Sequence, residues 1–198
     1  MTATARRGRP GYDVDSLLAV AVKVFNEKGY DGTSMDDVSR RLGRTKSAIY
    51  HHVAGKEELL RLALDRALDA LFAVTDEPGF RNGPAIERLE YLVRGSVLVL
   101  AAELPYVTLL LRVRGNTRVE RVALARRRRF DAIVSALVAE AEADGDVRPD
   151  VDPSITARLL FGMVNSLVEW YRPRGVFSAG ELADAVTKIA FDGLRVRP

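Results

Sequence analysis

The chain has 198 residues, 47% of them hydrophobic and 29% charged, which is the composition of a folded protein with a packed core rather than of a disordered one. It has no cysteine, which excludes a disulfide framework and thiol chemistry, and no run of about 18 apolar residues that would predict a membrane span. The net charge is only +3, so a nucleic-acid partner is indicated only where basic residues cluster.

The N-terminal arm is the first such cluster, with Arg6, Arg7 and Arg9 standing just before Pro10. No apolar stretch follows these residues, so the arm does not resemble a signal peptide, and we expect the protein to be cytoplasmic. The arm is too polar and too rich in helix breakers to fold by itself. We expect it either to contact DNA phosphates or the minor groove, or to be a solvated tail.

Three helices are predicted after the arm. Apolar residues at helical spacing, ended by a glycine, predict a first helix over residues 15–28. Thr33, followed by Asp36 three residues later, resembles a capping box and predicts a second helix of about eight residues. Thr45 can cap a third helix that runs through His52.

The link between the second and third helices is only Gly43 and Arg44, and the glycine supplies the backbone freedom that a sharp turn needs. On the third helix we expect Ile49 to face inward. The residues expected to face outward carry hydrogen-bond donors, as binding in a DNA groove requires: Lys46, Ser47, Tyr50 and His51. A helix pair of this kind is often only a packing unit, but a protruding polar second helix is typical of helix-turn-helix DNA-binding proteins.

The rest of the chain is also predicted to be helical. A fourth helix opens near Gly55 and continues through Phe72, and a segment rich in proline and glycine over residues 78–84 then interrupts the helical pattern. Further apolar helical patterns cover residues 85–102, 105–113, 117–143, 154–171 and 178–193. The last three begin near the capping residues Thr117, Asp152 and Ser178. Because no convincing strand pattern occurs, the predicted fold is all-α with about nine helices.

The N-terminal segment resembles the DNA-binding module of the TetR family of bacterial transcriptional regulators. The residues that carry the resemblance are Phe25, Gly29, Tyr30, Thr33, Val38, the run from Leu42 to Val53, Lys56, Leu59 and Leu60. The resemblance implies a helix-turn-helix DNA-binding domain with its basic arm over residues 1–57. It also implies a larger helical domain for effector binding and dimerisation over residues 58–198.

The same resemblance implies roles for individual residues. The positions expected to hold phosphates are Thr33, Tyr50, His52 and Lys56, and those expected at or near base edges are Thr45, Lys46, Ser47 and His51. Arg44 stands where a small apolar residue is usual in the family, and Val53 where phenylalanine is commoner. Arg44 is therefore expected either to add a phosphate contact or to be solvated.

The C-terminal half is the part that family members use to bind a small-molecule effector. Six aromatic residues spread over several helices are candidates for surrounding an apolar cavity: Phe72, Tyr91, Tyr106, Phe130, Phe161 and Trp170. Simple filling of the core is an equally good interpretation for each of them. The basic run Arg126 to Arg129 is either a solvated surface or the binding site of an anionic effector such as a coenzyme A thioester. The resemblance implies an acyl coenzyme A thioester or a related aromatic or fatty acid metabolite as the effector.

The family also pairs two subunits through the last two long helices. The first of these helices has a broad apolar surface, from which we expect Leu159, Met163, Leu167 and Trp170 to form a homodimer interface. Dimerisation would set two recognition helices about 34 Å apart, which suits a palindromic operator in double-stranded DNA.

The expected function is that of a DNA-binding repressor released by an effector, although an activator is also compatible with the sequence. An enzyme is not expected, because no histidine stands outside the DNA-binding module and no paired acid and base, phosphate loop or metal-spaced cluster occurs. His51 and His52 lie about 100° apart on a helix, so no metal site is expected, and no cofactor. A ligand-binding protein that has lost DNA binding is the third alternative, but it would carry acidic or bulky residues on the outer face of the third helix.

Overall fold

The computed structural model describes residues 14–194, and the basic arm with Arg6, Arg7 and Arg9 lies outside the described residues. Within that range the chain forms ten α-helices and one 3-10 turn with no strand, which confirms the all-α prediction. Taken singly, none of these helices has the length and hydropathy of a membrane span. The consecutive helices over residues 85–102 and 104–112 have the required length and hydropathy only when they are taken together, and a bend of 102° separates them.

The chain divides into two compact units, the first ending at Ala63 and the second beginning at Leu64. This division falls six residues after the boundary expected from the sequence, and it lies inside a continuous helix. The first unit contains α1 (Val14–Lys28), α2 (Met35–Leu42), α3 (Lys46–Tyr50) and the first turns of α4 (Lys56–Ala73).

The second unit holds the remaining helices. They are the end of α4, the 3-10 turn (Val74–Asp76), α5 (Pro78–Arg81), α6 (Ala85–Ala102), α7 (Leu104–Arg112), α8 (Arg118–Ala143), α9 (Pro153–Trp170) and α10 (Ala179–Leu194). The short α5 is the one helix that the sequence did not predict. It forms where a break was expected, because Pro78 occupies the first helical position, which needs no backbone N–H donor.

Local capping sets the starts of the long helices. The Thr117 hydroxyl accepts a hydrogen bond from the Glu120 amide at 3.1 Å, and Asp152 caps α9 in the same manner. The Glu120 carboxylate is buried and accepts hydrogen bonds from the backbone amides of Arg114, Gly115 and Asn116 at 3.0, 2.7 and 2.9 Å. The loop before α8 is therefore held by a charge-assisted network rather than by apolar packing.

Each unit has its own apolar core. In the first unit Phe25, Val38, Ile49 and Leu59 are fully buried, so α1, α2, α3 and α4 all contribute side chains to it. In the second unit α6 packs against α8, α9 and α10. Burial of one such side chain stabilises the fold by about 1.5–3 kcal/mol, so the packing of Ile49 helps to hold α3, which has only five residues.

Candidate nucleic-acid interface and ligand cavity

The start of α2 shows how the first unit presents its helices. Ser34 is the N-cap, and its hydroxyl accepts a hydrogen bond from the Asp37 amide at 3.2 Å while Asp37 accepts one from the Ser34 amide at 2.9 Å. The sequence placed this capping box one residue earlier, at Thr33 and Asp36, and that assignment was wrong. Both pairs have a hydroxyl followed by an acid three residues later, so local chemistry alone did not distinguish them.

Thr33 has a structural role instead of the expected phosphate contact. Its side chain is buried, with 3% of the residue exposed, and its hydroxyl donates to the Gly29 carbonyl at 2.7 Å. A phosphate oxygen needs a donor, and the single donor of this hydroxyl is already used inside the protein. Thr33 therefore closes the turn between α1 and α2.

The turn between α2 and α3 depends on a left-handed glycine. Gly43 has φ of 68° and its amide donates to the Arg40 carbonyl at 3.2 Å. The amide of Arg44 donates to the Ser39 carbonyl at 3.1 Å, and the Ser39 hydroxyl donates back to the Arg44 carbonyl. Ser39, which the sequence analysis did not single out, therefore connects the end of α2 to the turn by two hydrogen bonds.

The short helix α3 has one buried and one exposed face. As predicted, Thr45 caps the helix: its hydroxyl accepts a hydrogen bond from the Ala48 amide at 3.3 Å. Ile49 points into the core, with 1% of its surface exposed. The exposed residues on and around the helix are Arg44, Thr45, Lys46, Ser47, Tyr50, His51 and His52. Seven of the nine residues predicted to bind DNA are thus exposed on α3 and beside it.

Two lysines on and near α3, Lys46 and Lys56, have partners within the protein. Lys46 forms an ion pair with Asp36 at 2.6 Å. Lys56, partly buried at the start of α4, donates to the Tyr30 carbonyl at 3.0 Å and lies 4.3 Å from the centre of the Tyr30 ring. A cation held over an aromatic ring keeps its charge while losing freedom of movement, so Lys56 is positioned before any DNA arrives.

Asp37 links α1 to α2 in the helix-turn-helix. Besides capping α2 it accepts hydrogen bonds from Lys28 and Arg40, each at 2.7 Å. The hydrogen bond from Lys28, followed by those from Ser34, holds the pKa of the Asp37 carboxyl well below its usual range. The sequence signal that could have identified this residue is the Ser34-x-x-Asp37 spacing.

A narrow cavity of about 50 Å³ lies inside the second unit, with lining residues from α4, α6, α7, α8 and α9. Its walls are mainly apolar, and Phe130 and Phe161, two of the six predicted aromatic residues, line it. Their rings meet edge to face with centres 5.3 Å apart, and Phe72 packs behind Phe130 at 5.5 Å.

The other three predicted aromatic residues lie elsewhere. Tyr106 is buried beneath the guanidinium of Arg66, which is 4.4 Å from the ring centre, and the Tyr91 hydroxyl donates to Glu77. That hydrogen bond raises the pKa of the Tyr91 hydroxyl, with a smaller contribution from burial. Trp170 is on the surface. None of these three residues lines the cavity, and neither does Phe72, so the prediction that these four residues surround it was wrong.

A second, wider groove of about 380 Å³ lies beside the apolar cavity, between α8 and α9. Its charged lining residues are Arg127, Arg128, Asp131 and Arg158. Four residues line both spaces, namely Arg127, Asp131, Phe161 and Asn165. We call these four residues the neck, because they mark the boundary between an apolar inner cavity and a cationic outer groove.

The four consecutive arginines of α8 have different partners. Arg126 donates to Asp65 at 3.0 Å and to Asp69 at 2.5 Å, so its charge is balanced by α4. In contrast, Arg127 and Arg128, together with Arg158, form no ion pair within residues 14–194. Burial raises the pKa of the Asp131 carboxyl, against the opposing effect of Arg127 and Arg158.

The apolar face predicted for dimerisation is only partly exposed. Leu159 and Trp170 have 66% and 51% of their surface exposed, and Met163 is half-buried. Leu167 is 2% exposed and packs in the core of its own chain, so its placement in the interface was wrong. Two exposed residues that the sequence did not single out, Ile155 on α9 and Ile189 on α10, add to the apolar surface of these helices.

Two protein families have sequence models that match the chain. Residues 17–63 match the family described as bacterial regulatory proteins, tetR family. Residues 82–194 match the family described as tetracyclin repressor-like, C-terminal domain. The first match covers the helix-turn-helix and the second covers more than half of the chain.

Similar proteins align over nearly the whole chain. The HTH-type transcriptional repressor KstR2 of Mycobacterium tuberculosis is 27% identical over 182 residues, covering 90% of each chain. The crystal structure of SCO3833, a TetR-family member from Streptomyces coelicolor A3, is 58% identical with a TM-score of 0.85 and covers 98% of this chain and 94% of SCO3833. The structure of AibR in complex with isovaleryl coenzyme A and operator DNA is 25% identical with a TM-score of 0.75, covering 89% of this chain and 97% of AibR.

Proposed function

The chain belongs to the TetR family of bacterial regulatory proteins, and on this premise we propose that it is a homodimeric repressor that leaves a palindromic operator when an organic anion binds in its second unit. Regulators of this family bind DNA. The observation that carries the proposal is the structure of α3, which buries Ile49 and leaves the hydrogen-bond donors Lys46, Ser47, Tyr50 and His51 exposed. Such a helix fits the major groove of DNA, where the base edges present distinct donor and acceptor patterns.

The exposed residues divide into two groups by their proposed contacts. Lys46, Ser47 and His51, with Thr45 at the start of the helix, are proposed to reach base edges. Arg44, Tyr50, His52 and Lys56 are proposed to hold phosphates. Phosphate contacts position a protein on the duplex and base contacts specify the sequence, so the two groups make different predictions for mutants.

A homodimer is proposed because α9 and α10 leave large apolar side chains exposed. Leu159, Trp170, Ile155 and Ile189 are each at least half exposed in the single chain. Burying such side chains against a second copy would remove apolar surface from water and stabilise the pair. A two-fold dimer would also present two copies of α3 to a palindromic site.

The effector is proposed to be an acyl coenzyme A thioester. The apolar cavity with Phe130 and Phe161 suits an acyl group, and the adjoining groove with Arg127, Arg128 and Arg158 suits phosphates, because its three guanidinium groups outnumber its one carboxylate, Asp131. The similarity to AibR, whose structure contains isovaleryl coenzyme A and operator DNA, supports the same class of ligand. In its present volume the inner cavity admits a small acyl group, and a longer one would require its side chains to move.

Release from DNA is proposed to follow from a difference in effector affinity between two arrangements of the protein. An effector shifts such an equilibrium only as far as it binds one arrangement more tightly than the other. The helix α4 is the proposed connection, because it carries Lys56 in its first turn and, farther along, Ala67 and Leu71, which line the inner cavity.

The test is selection of bound sequences from random duplex DNA, followed by fluorescence anisotropy on the selected site. We expect a palindromic sequence to be enriched and an acyl coenzyme A to release it. Ser47→Ala should change the selected sequence, whereas the matched control Ser166→Ala, an exposed serine on α9, should leave it unchanged. A protein that binds no duplex at low salt, or one whose selected sequences are the same as the input pool, would contradict the proposal.

A further inference from the structure

We propose that the neck formed by Arg127, Asp131, Phe161 and Asn165 binds the uncharged junction of an acyl thioester and discriminates against the corresponding free acid, with Asp131 as the specificity-determining residue. This inference rests on the proposed function, because it takes the inner cavity as the site of the acyl group. The new points are that the protein recognises the thioester rather than the free acid, and that Asp131 distinguishes the two.

The neck is built from two helices that each contribute two residues one turn apart. Arg127 and Asp131 are four residues apart on α8, and Phe161 and Asn165 are four residues apart on α9, so each pair lies on one face of its helix. Phe161 is nearly buried and forms an apolar wall. Arg127, Asp131 and Asn165 therefore supply a donor, an acceptor and an amide at the point where the apolar surface ends.

Charged groups are confined to the α8 and α9 side of these spaces. Arg127, Arg128 and Asp131 come from α8, and Arg158 comes from α9. The lining residues that α4, α6 and α7 contribute carry no titratable side chain. The neck itself contains one cation, Arg127, and one anion, Asp131. Arg128 and Arg158 line the outer groove but not the inner cavity.

A ligand whose apolar body occupies the inner cavity places its first polar atoms at the neck. In an acyl thioester of coenzyme A or of N-acetylcysteamine, these are an uncharged carbonyl and, two carbons beyond the sulfur, an amide N–H. Arg127 can donate to the carbonyl, and Asp131 can accept from the N–H. The thioester thus matches both charges of the neck without adding a third.

A free acid places a carboxylate at the same point. Its charge would lie beside Asp131 and would compete with it for Arg127, and two carboxylates sharing a site do not both stay ionised without cost. Burial already raises the pKa of the Asp131 carboxyl. Binding of the free acid should therefore take up a proton and strengthen as the pH falls, whereas binding of the thioester should change little with pH.

The experiment is isothermal titration of the full chain with matched pairs of probes. The pairs are the N-acetylcysteamine thioester and the free acid of three acyl groups: isovaleryl, octanoyl and phenylacetyl. We expect the wild-type protein to bind at least one thioester about tenfold or more tightly than its acid near neutral pH, by the like-charge repulsion described above. We also expect acid binding to strengthen as the pH falls from neutral toward the range in which carboxyl groups titrate.

Two substitutions of Asp131 separate charge from hydrogen bonding. D131N keeps an acceptor oxygen but has no charge, so the acid should gain affinity, lose its pH dependence and come within about threefold of the thioester. D131L also removes the acceptor, so the thioester should lose affinity. Asp144→Asn, which changes an exposed acid beyond the end of α8, is the matched control and should behave as the wild type. Thermal unfolding of each variant verifies that it is folded.

Several results would overturn the inference. Equal binding of acid and thioester by the wild type, or a D131N variant with the wild-type preference and pH dependence, would show that Asp131 does not discriminate. Failure of all six probes to bind both the wild type and D131N would show that the neck binds no acyl group. In either case, DNA selection and release by another metabolite would leave the proposed repressor function intact, so the two failures are distinguishable.

Discussion

Lys46, the first residue of α3, forms an ion pair with Asp36 of α2 at 2.6 Å. Both side chains are well exposed, so the pair contributes little to the stability of the fold. Its consequence lies in DNA binding, since an acid stands beside the helix that is proposed to enter the groove. We expect Asp36 to repel phosphates and to compete with DNA for Lys46, which would lower affinity for any duplex that offers Lys46 no specific partner.

Replacing Asp36 with asparagine should therefore strengthen binding to random DNA more than binding to the selected operator. We expect a gain of several-fold for random duplexes, about the effect of one exposed like charge, and a steeper dependence on salt. Anisotropy titrations of both duplexes at several salt concentrations measure this effect. Glu57→Gln, an exposed acid on α4, is the control for a mere change of net charge. A D36N variant with weaker binding to both duplexes would contradict the explanation.

Replacing Lys56 with alanine should lower affinity for all duplexes to about the same extent and reduce the salt slope by about one, because it removes one phosphate contact. Tyr50→Phe should act in the same direction without changing the selected sequence. His51→Ala should instead alter the preferred sequence, as expected of a residue near base edges. Lys23→Ala, which removes an exposed lysine of α1, is the control. A K56A variant whose loss of affinity differs strongly between sequences would refute the phosphate role.

The turn glycine predicts an effect on stability. At φ of 68° an alanine in place of Gly43 is strained, so G43A should lower the free energy of unfolding by about 1–2 kcal/mol. The same change at Gly193, inside α10 with no neighbouring atom within 4 Å of an added Cβ, should be neutral or should stabilise by up to about 1 kcal/mol. Urea unfolding followed by circular dichroism measures both changes. Equal effects of the two substitutions would contradict the role of the left-handed turn.

Asp37 predicts how stability depends on acidity. The pKa of its carboxyl is lowered in the folded state, chiefly by Lys28, so the carboxylate stabilises the fold above the ordinary pKa of 3.8 and loses this effect as the pH falls toward the folded value. D37N should therefore be less stable than the wild type at neutral pH, and the difference should shrink below about pH 4. Unfolding curves across this range, with Asp144→Asn as control, measure it. A difference that does not depend on pH would exclude the carboxylate as its cause.

The exposed face of α9 predicts the effect of a buried charge on assembly. Leu159→Glu should convert the proposed dimer to monomers, because an unpaired carboxylate would be buried in the interface at a cost of several kcal/mol. It should also weaken binding to a palindrome far more than to a half-site. Val122→Glu, which alters an exposed apolar residue of α8, is the matched control. Light scattering coupled to gel filtration gives the masses, and an L159E variant that stays dimeric would remove Leu159 from the interface.

The sequence predicted the helices well because their signals are local. The periodicity of apolar residues and the caps at Thr45, Thr117 and Asp152 act within about one turn of helix, so they can be recognised without the fold. The inward position of Ile49 follows from the same periodicity, and the structure confirms it. The exposure of Lys46, Ser47 and Tyr50 on α3 could be predicted from the same periodicity.

Tertiary contacts decided what the local patterns left equivalent. Thr33 and Ser34 are both good capping residues, and the burial of Thr33 against the turn after α1 made Ser34 the cap. Arg126 and Arg127 are neighbours in the sequence, but α4 places two acids beside the first, whereas the second lies with Asp131 in the groove between α8 and α9. Leu167 and Leu159 lie on one helix, yet only the packing of that helix in its own core buries the former.

What the sequence determined by itself is therefore every α-helix except α5, the pattern of residues in the helix-turn-helix and the family to which the chain belongs. What only the tertiary structure decided is which side chains meet across helices: the neck of the cavity, the partner of Lys46 and the residues left exposed on α9. The physical reason is the distance along the chain over which each kind of interaction acts. Capping and periodicity act between residues at most four positions apart, whereas a cavity or an ion pair between helices depends on residues that only the completed packing brings together.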